Sequence, residues 1–286
     1  MKPKTVALLH PGNMGATIGA AARAGGARVI WASQGRSDAT RQRAERAGLI
    51  DVGTLPSALA ESEVVLSICP PHAALSVARE VAETKFHGIY IDANAVSRAT
   101  AEEIGRIVSQ AGASFIDGGI IGSPVKQAGT TRLYLSGVGA ERIAELFSGT
   151  MLDARAIGDQ PGAASALKLA YAAWTKCSDV LAIAIRAYAN REGVDAALLE
   201  EWAISQPALA KKCDRAASVA VPKAWRYVGE MQEIAEAFKS AGLPGGFHDA
   251  AAELCQQLVC FKDQTDPPPS IASVLQVLGA KPAGAR

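Results

Sequence analysis

Short apolar runs alternate with mixed, helix-like segments over the first 157 residues, and then the texture changes. Residues 6–9 (Val-Ala-Leu-Leu) are apolar, a glycine-bearing turn follows at 11–15, an alanine-rich stretch runs over 16–24, and a second apolar run covers 27–32. Strand, turn, helix and strand within roughly 30 residues make a βαβ unit. Beyond it the pattern predicts a charged helix over 38–47 ended by Gly48, a short strand at 49–52 and a short helix at 55–60. A buried strand at 63–68 stops at Cys69-Pro70-Pro71. Helix 72–82, strand 88–92, helix 98–111 and strand 115–117 come next. A small-residue loop at 118–124 and strands at 131–136 and 152–157 complete the series. Such alternation builds an α/β, doubly wound sheet.

From Pro161 onward no strand pattern returns. A helix is expected over 161–189 with Pro161 in its first position, its apolar stripe supplied by Leu167, Tyr171, Trp174 and Val180 or Leu181. Further helices are expected at 196–205, 207–217, 223–241, 248–262 and 271–278, with a tail at 281–286. The chain therefore reads as a Rossmann domain over 1–158 followed by an all-α domain over 159–286. A helix of 29 residues spans about 43 Å. It is hard to bury alone in so small a domain, so a homodimer packed around it is expected, the helical domain serving substrate binding and dimerisation.

The first βα turn is where such a unit holds a dinucleotide. Gly12 lets backbone approach a pyrophosphate, Gly15 permits close helix–strand packing, and the helix N-terminus offers free N–H groups. Pro11, Gly12, Asn13, Met14 and Gly15 are the expected cradle, although His10 stands where a G-x-G-x-x-G pattern has its first glycine. After the second strand the chain reads Trp31-Ala32-Ser33-Gln34-Gly35-Arg36-Ser37, with no carboxylate before Asp38. Arg36 can fork onto a 2′-phosphate and Ser33 and Ser37 can donate to it, which favours NADP over NAD. Cys69, Pro70 and Asn94 fall at strand ends that line the crevice. Cys69 is expected as lining rather than nucleophile, because no cation flanks it. Ser97 reads equally as the N-cap of the next helix.

Composition narrows the classes. With 29 basic and 28 acidic side chains among 286 residues, no field draws the chain to nucleic acid or anionic lipid. No stretch is apolar enough to span a bilayer, and the N-terminus runs almost at once into a strand, so a soluble, cytoplasmic protein is expected. The five cysteines form no C-x-x-C pair and the four histidines no clustered motif, so neither disulfide framework nor metal site is expected.

Within the long helix one polar residue stands apart. Lys168 sits among Ala164, Leu167, Leu169 and Ala172, where an ammonium near a cofactor has a depressed pKa and can trade a proton; the alternative is a lysine reaching out to solvent. Three segments resemble motifs of the β-hydroxyacid dehydrogenase superfamily, which includes 6-phosphogluconate and 3-hydroxyisobutyrate dehydrogenases. They are Gly12-Asn13-Met14-Gly15, the stretch from Asp117 to Ser123, and Gly162 through Lys168. The stretches KLAYAAWTK, KAWRYVGEM and AGLPGGFHDAAAEL resemble a bacterial phosphogluconate-dehydrogenase-like subgroup. The resemblance implies that Lys168 is a general acid/base and that Gly122 and Ser123 hold substrate.

Departures accompany the likeness. Ile121 replaces the usual loop serine, Ala172 a site asparagine, and Gly229-Glu230 a lysine–aspartate pair, leaving Glu230 and Tyr171 as candidate substrate contacts. The expected activity is NADP-dependent hydride transfer between nicotinamide and a small hydroxy acid or secondary alcohol and its ketone. An imine reductase on the same fold and a non-catalytic NADP-binding sensor are the alternatives.

Overall fold

The computed structural model describes residues 4–279; the expected tail at 281–286 lies outside them. Two compact units divide between Leu169 and Ala170. The first contains β1 (Thr5–Leu9), α1 (Asn13–Ala24), β2 (Arg28–Trp31), α2 (Asp38–Arg46), β3 (Ile50–Asp51), α3 (Leu55–Glu61) and β4 (Val64–Ser67). It continues with α4 (Ala74–Glu83), β5 (Ile89–Asp92), α5 (Arg98–Gln110), β6 (Ser114–Gly122), β7 (Thr131–Ser136), α6 (Ala140–Ala144) and β8 (Asp153–Ala156). The opening turns of α7 (Ala163–Arg191) also belong to it.

The eight strands form one sheet in the order β3-β2-β1-β4-β5-β6-β7-β8. All pairs through β6 are parallel, β7 runs antiparallel to β6, and β8 is parallel to β7. Alternate residues of each strand serve opposite faces. Val6 and Leu8 join Val29, Trp31, Val64 and Leu66 under α1, α2 and α6, whereas Ala7, Leu9, Ile30, Val65 and Tyr90 pack against α3, α4 and α5. Burying each such Val, Leu or Ile contributes about 1.5–3 kcal/mol, so both layers are firmly held. The chain lays down β1, β2 and β3 in one direction and then returns to β4 beside β1. A crevice therefore opens beyond the carboxyl ends of β1 and β4.

Four expectations in the first unit and α7 are corrected. Residues 118–122 are not a loop: β6 runs on to Gly122 and pairs with β7 from Asp117↔Ser136 to Gly122↔Thr131. Its glycines serve close approach. A Cβ on Gly119 would stand 2.6 Å from the Ala164 carbonyl oxygen and 3.1 Å from Lys168 Cβ. Helix α1 starts at Asn13 rather than 16, because Gly12 is its extended N-cap. Pro161 is not in the first position of α7. The helix begins at Ala163, after Gly162 turns the chain with φ +83°. Finally, the expected apolar stripe of α7 is not core. Tyr171, Trp174 and Leu181 are exposed, Trp174 by 74%, and only Val180 is buried.

The second unit holds the rest of α7, then α8 (Asp195–Ser205), α9 (Leu209–Arg215), α10 (Ala224–Ser240), α11 (Gly246–Gln257) and α12 (Ile271–Gly279). The helix expected over 207–217 breaks into α9 and a π-helical turn at Ala216–Ala220. The one expected over 248–262 ends at Gln257, short of a 3-10 turn at Val259–Phe261. Buried Met231, Ile234 and Ala235 of α10 and Ala251, Ala252 and Cys255 of α11 form the inward faces of these helices.

Two glycines give opposite expectations. Gly119→Ala forces a methyl against backbone and should destabilise by about 1–3 kcal/mol. Gly229→Ala, in open space inside α10, should stabilise by about 0.5–1 kcal/mol. Urea unfolding of both variants checks this, and equal effects would contradict the packing of β6 on α7.

Candidate functional site

The crevice starts at the β1–α1 turn. Gly12 caps α1 without a side-chain hydrogen bond, so the N–H groups of Asn13, Met14 and Gly15 point outward with a partial positive charge behind them. A Cβ on Gly15 would stand 2.8 Å from the His10 carbonyl oxygen, so only glycine closes this turn. No acidic residue stands in the first turn. The residues fit a pyrophosphate. His10 takes φ +66°, the left-handed conformation that the missing glycine of the fingerprint would supply freely. Its Nδ1 is buried without a partner. Burial, with Arg36 nearby, lowers the imidazole to about 4, so it is neutral at physiological pH.

At the end of β2, Arg36 is half-buried and acts electrostatically on both His10 and Cys69, which puts its guanidinium beside the crevice. The neighbouring serines are otherwise engaged. Ser37 caps α2, accepting from the Thr40 N–H at 3.4 Å, and the buried Ser33 faces the Asp51 carboxylate on β3. Arg43 was not singled out by the sequence. Its Nε donates to the Pro11 carbonyl at 3.4 Å, setting a second guanidinium against the turn from α2. Its position one helical turn after Thr40, which its Nη2 also reaches, could have drawn notice.

Across the switch point, Cys69 and Asn94 are tied together. The Cys69 N–H donates to Asn94 Oδ1 at 2.6 Å, while Asn94 Nδ2 donates to Asp92 Oδ1 at 2.6 Å and Ser67 Oγ at 3.2 Å. Asn94 is 2% exposed, with both amide donors and the carbonyl bound inside the sheet, so it shapes the strand ends. Burial, with Asp92 close by, pushes the Cys69 thiol up to about 11, which keeps it protonated and excludes it as nucleophile. Pro70 continues the same rim. Ser97 caps α5, accepting from the Thr100 N–H at 3.2 Å.

These contacts belong to a polar row that crosses the sheet. Ser67, Asp92, Asp117 and Ser136 are in register on β4, β5, β6 and β7, and none has access to water. Asp117 accepts from Ser136 Oγ at 3.0 Å, from the Ser165 N–H at 2.9 Å and from Ser165 Oγ at 2.5 Å. Ser136 Oγ accepts from the Ala164 N–H at 3.0 Å. One signal in the chain marks this row: three successive apolar strands each reach a polar residue at the same level, Ser67, Asp92 and Asp117. Asp92 is raised to about 7 by burial and by Asp117 beside it, against the pull of Asn94.

Lys168 follows Ser165 by three positions and lies beside Gly119. It is half-buried, and among the described residues no hydrogen bond or ion pair reaches its ammonium. Burial lowers its pKa from the usual lysine range. Gly122 (φ +123°) and the exposed Ser123 begin a loop tied to α1, since Thr17 Oγ1 accepts from the Val125 N–H at 3.1 Å. The first unit thus gathers the 10–15 turn, Arg36, Cys69, Gly122, Ser123 and Lys168 along one edge of its sheet. Tyr171 and Glu230 lie in the second unit. There Tyr171 is exposed, and Glu230 is neutralised by Lys176, whose ammonium stands 4.8 Å from the Tyr227 ring centre.

Residues 5–96 match the family described as NADP oxidoreductase, coenzyme F420-dependent, and residues 189–258 match DUF1932, a domain of unknown function. An uncharacterized 28.5 kDa protein of Methanothermus fervidus is 28% identical over 167 residues. That stretch spans 58% of this chain and 64% of the relative's length. Among solved structures, the conserved protein MTH1747, described as similar to 3-hydroxyacid dehydrogenases, superposes with a TM-score of 0.72 at 22% identity. It covers 97% of this chain and 100% of its own. Mycobacterium tuberculosis 3-hydroxyisobutyrate dehydrogenase gives 0.70 at 18%, with the same coverage. An imine reductase from Pseudomonas sp. is more distant, at 0.53 and 17%, again covering 97% and 100%. The chain has the fold of the hydroxyacid dehydrogenases. The resemblance read from the sequence is borne out at that level. Among the described residues, no helix is long and apolar enough to cross a membrane and no cluster of His, Cys, Asp or Glu could hold a metal ion.

Asp92 makes folding pH-dependent. Its carboxyl binds a proton more tightly folded (about 7) than unfolded (3.8), so its contribution to stability falls as pH rises between those values and is level above. The stability of Asp92→Asn relative to the parent should therefore climb from pH 4 to pH 7, by up to about 4 kcal/mol, and then plateau. Parallel denaturation curves at pH 4, 5.5, 7 and 8 test this; a constant difference would refute it.

Proposed function

We propose that the protein is an NADP-dependent oxidoreductase that transfers hydride between the nicotinamide and a small hydroxy acid, or a secondary alcohol and its ketone. The carrying observation is Lys168: a half-buried lysine with no partner among the described residues, its proton affinity lowered by burial, at the sheet edge that bears the 11–15 turn. When bound, the cofactor supplies the hydride acceptor or donor. The α1 N–H groups and Gly12 would hold its pyrophosphate, and Arg36 its 2′-phosphate. Lys168 would take the proton from a substrate hydroxyl in oxidation and return it to the carbonyl oxygen in reduction. A lowered pKa suits both directions, because each needs an amine that changes state near working pH. Gly122 and Ser123 would meet the substrate through loop N–H groups and a hydroxyl.

A homodimer through the helical unit belongs to this reading. On α7, the exposed Tyr171, Trp174, Leu181, Ile185 and Tyr188 recur at spacings of three, four and seven, the stripe that a partner helix covers. Residues 1–158 would then be the NADP-binding domain and 159–286 the substrate and dimerisation domain of a cytoplasmic enzyme. Trp174→Glu should convert the dimer to monomer in sedimentation velocity; an unchanged species would remove α7 as the seam.

Titration with NADPH and NADH, followed by energy transfer from the four tryptophans, tests the cofactor. A panel of 2-oxo acids, 3-oxo acids, aryl ketones and cyclic imines, followed by loss of NADPH absorbance, tests the reaction. NADPH should bind at least tenfold tighter than NADH, and turnover should occur on a carbonyl. Lys168→Ala should lower turnover by about 10²–10⁴-fold and leave NADPH affinity within twofold. Turnover confined to imines would replace the reading with an imine reductase, binding without turnover with a sensor, and absence of binding would overturn it.

A further inference from the structure

The start of α7, with Ser165 three residues before Lys168, is held by groups inside the sheet. Helix α7 leaves its first N–H groups without helical acceptors, and here two of them are met inside the sheet: the Ala164 N–H by Ser136 Oγ at 3.0 Å and the Ser165 N–H by Asp117 Oδ2 at 2.9 Å. Ser165 Oγ closes a second bond to Asp117 Oδ1, and Ser136 Oγ donates to Asp117 Oδ2, so one carboxyl gathers three donors. All three residues are without access to water. A carboxyl at a helix N-terminus is also favoured by the helix dipole.

Ala164 and Lys168 are four apart, so they share the face of α7 that lies on β6. There Gly119 allows contact closer than any side chain would, 2.6 Å and 3.1 Å from an added Cβ to the Ala164 oxygen and Lys168 Cβ. Asp117 and Gly119 are two apart on one strand and point to the same face. One strand therefore supplies both the bond that fixes the helix start and the seat for the lysine stem.

We propose that Asp117, with Ser136 and Ser165, is the positioning residue for Lys168: it pins the first turn of α7 so that the lysine stem rests on Gly119 and its ammonium stays out of bulk water. This rests on the reading of Lys168 as acid/base. Among the described residues, the neighbours of Lys168 supply no competing charge. β6 contributes Gly119 and α7 contributes Ala164, while Asp92 on β5 is bound to Asn94 and Asp117 to α7. Burial is what lowers the lysine's affinity for the proton. Freeing the helix start would let the ammonium reach water and regain its ordinary affinity for the proton.

The test reads the lysine itself. Folded parent, Asp117→Asn and Ser136→Ala are acylated briefly with acetic anhydride over a pH series. The Lys168 peptide is quantified by mass spectrometry against exposed Lys126. The midpoint for Lys168 should rise by about one pH unit in Asp117→Asn and by less in Ser136→Ala, with NADPH affinity within threefold of the parent. A merely structural role would lower the melting temperature and leave the midpoint alone. Coincident Lys168 curves in the folded variants would overturn the proposal, and Ser136→Ala decides if Asp117→Asn does not fold. The two readings separate cleanly. A shifted midpoint alongside undiminished turnover in Lys168→Ala would remove the acid/base role and leave the positioning role standing.

Discussion

A carboxyl group sealed inside the sheet, that of Asp117, receives the start of the 29-residue helix α7, and much of the first unit is arranged so that it can. Backbone N–H groups at a helix start must find acceptors, and burying them without any would cost about 1–3 kcal/mol each. The chain meets this need with side chains from β6, β7 and the helix itself, in contact and without water. β6 runs on past Asp117, the last residue it pairs with β5, and β7 runs antiparallel to it with Ser136 opposite Asp117.

The alternation of apolar runs revealed most of the sheet, because parallel strands buried on both faces announce themselves by composition. Glycine at 118, 119 and 122 misled. In isolation such a run reads as a loop, and only the approach of α7 explains why a strand would dispense with side chains there. The α7 stripe misled in the opposite sense. Periodicity marks an apolar face but does not say what covers it, and Trp174 and Tyr188 lie open within the single chain.

Candidate chemistry is legible where it is local: a glycine turn at 11–15, the lack of a carboxylate before Arg36 and a lone Lys168 are each properties of a few consecutive residues. The supporting groups are not. Asp92, Asp117, Ser136 and Ser165 are spread over 74 positions, from 92 to 165 inclusive, and acquire meaning only from register. Asn94 and Ser33 show the same limit: each sits at the expected edge, but its hydrogen-bonding capacity is claimed from within.

The row Ser67–Asp92–Asp117–Ser136 also constrains how such a sequence can drift. Ser67 and Asp92 share the Asn94 amide and Asp117 accepts from Ser136, so replacing one with an apolar residue strands a donor or a carboxyl in a dry interior. Replacing all four would in turn strand the Ala164 and Ser165 N–H groups and the Asn94 amide, which donate to them. The positions should accordingly vary in concert among related chains, serine with aspartate and strand with strand, although they are separated by dozens of residues. In such chains an apolar substitution at one of these levels would identify, from sequence alone, where its former neighbours must also have changed.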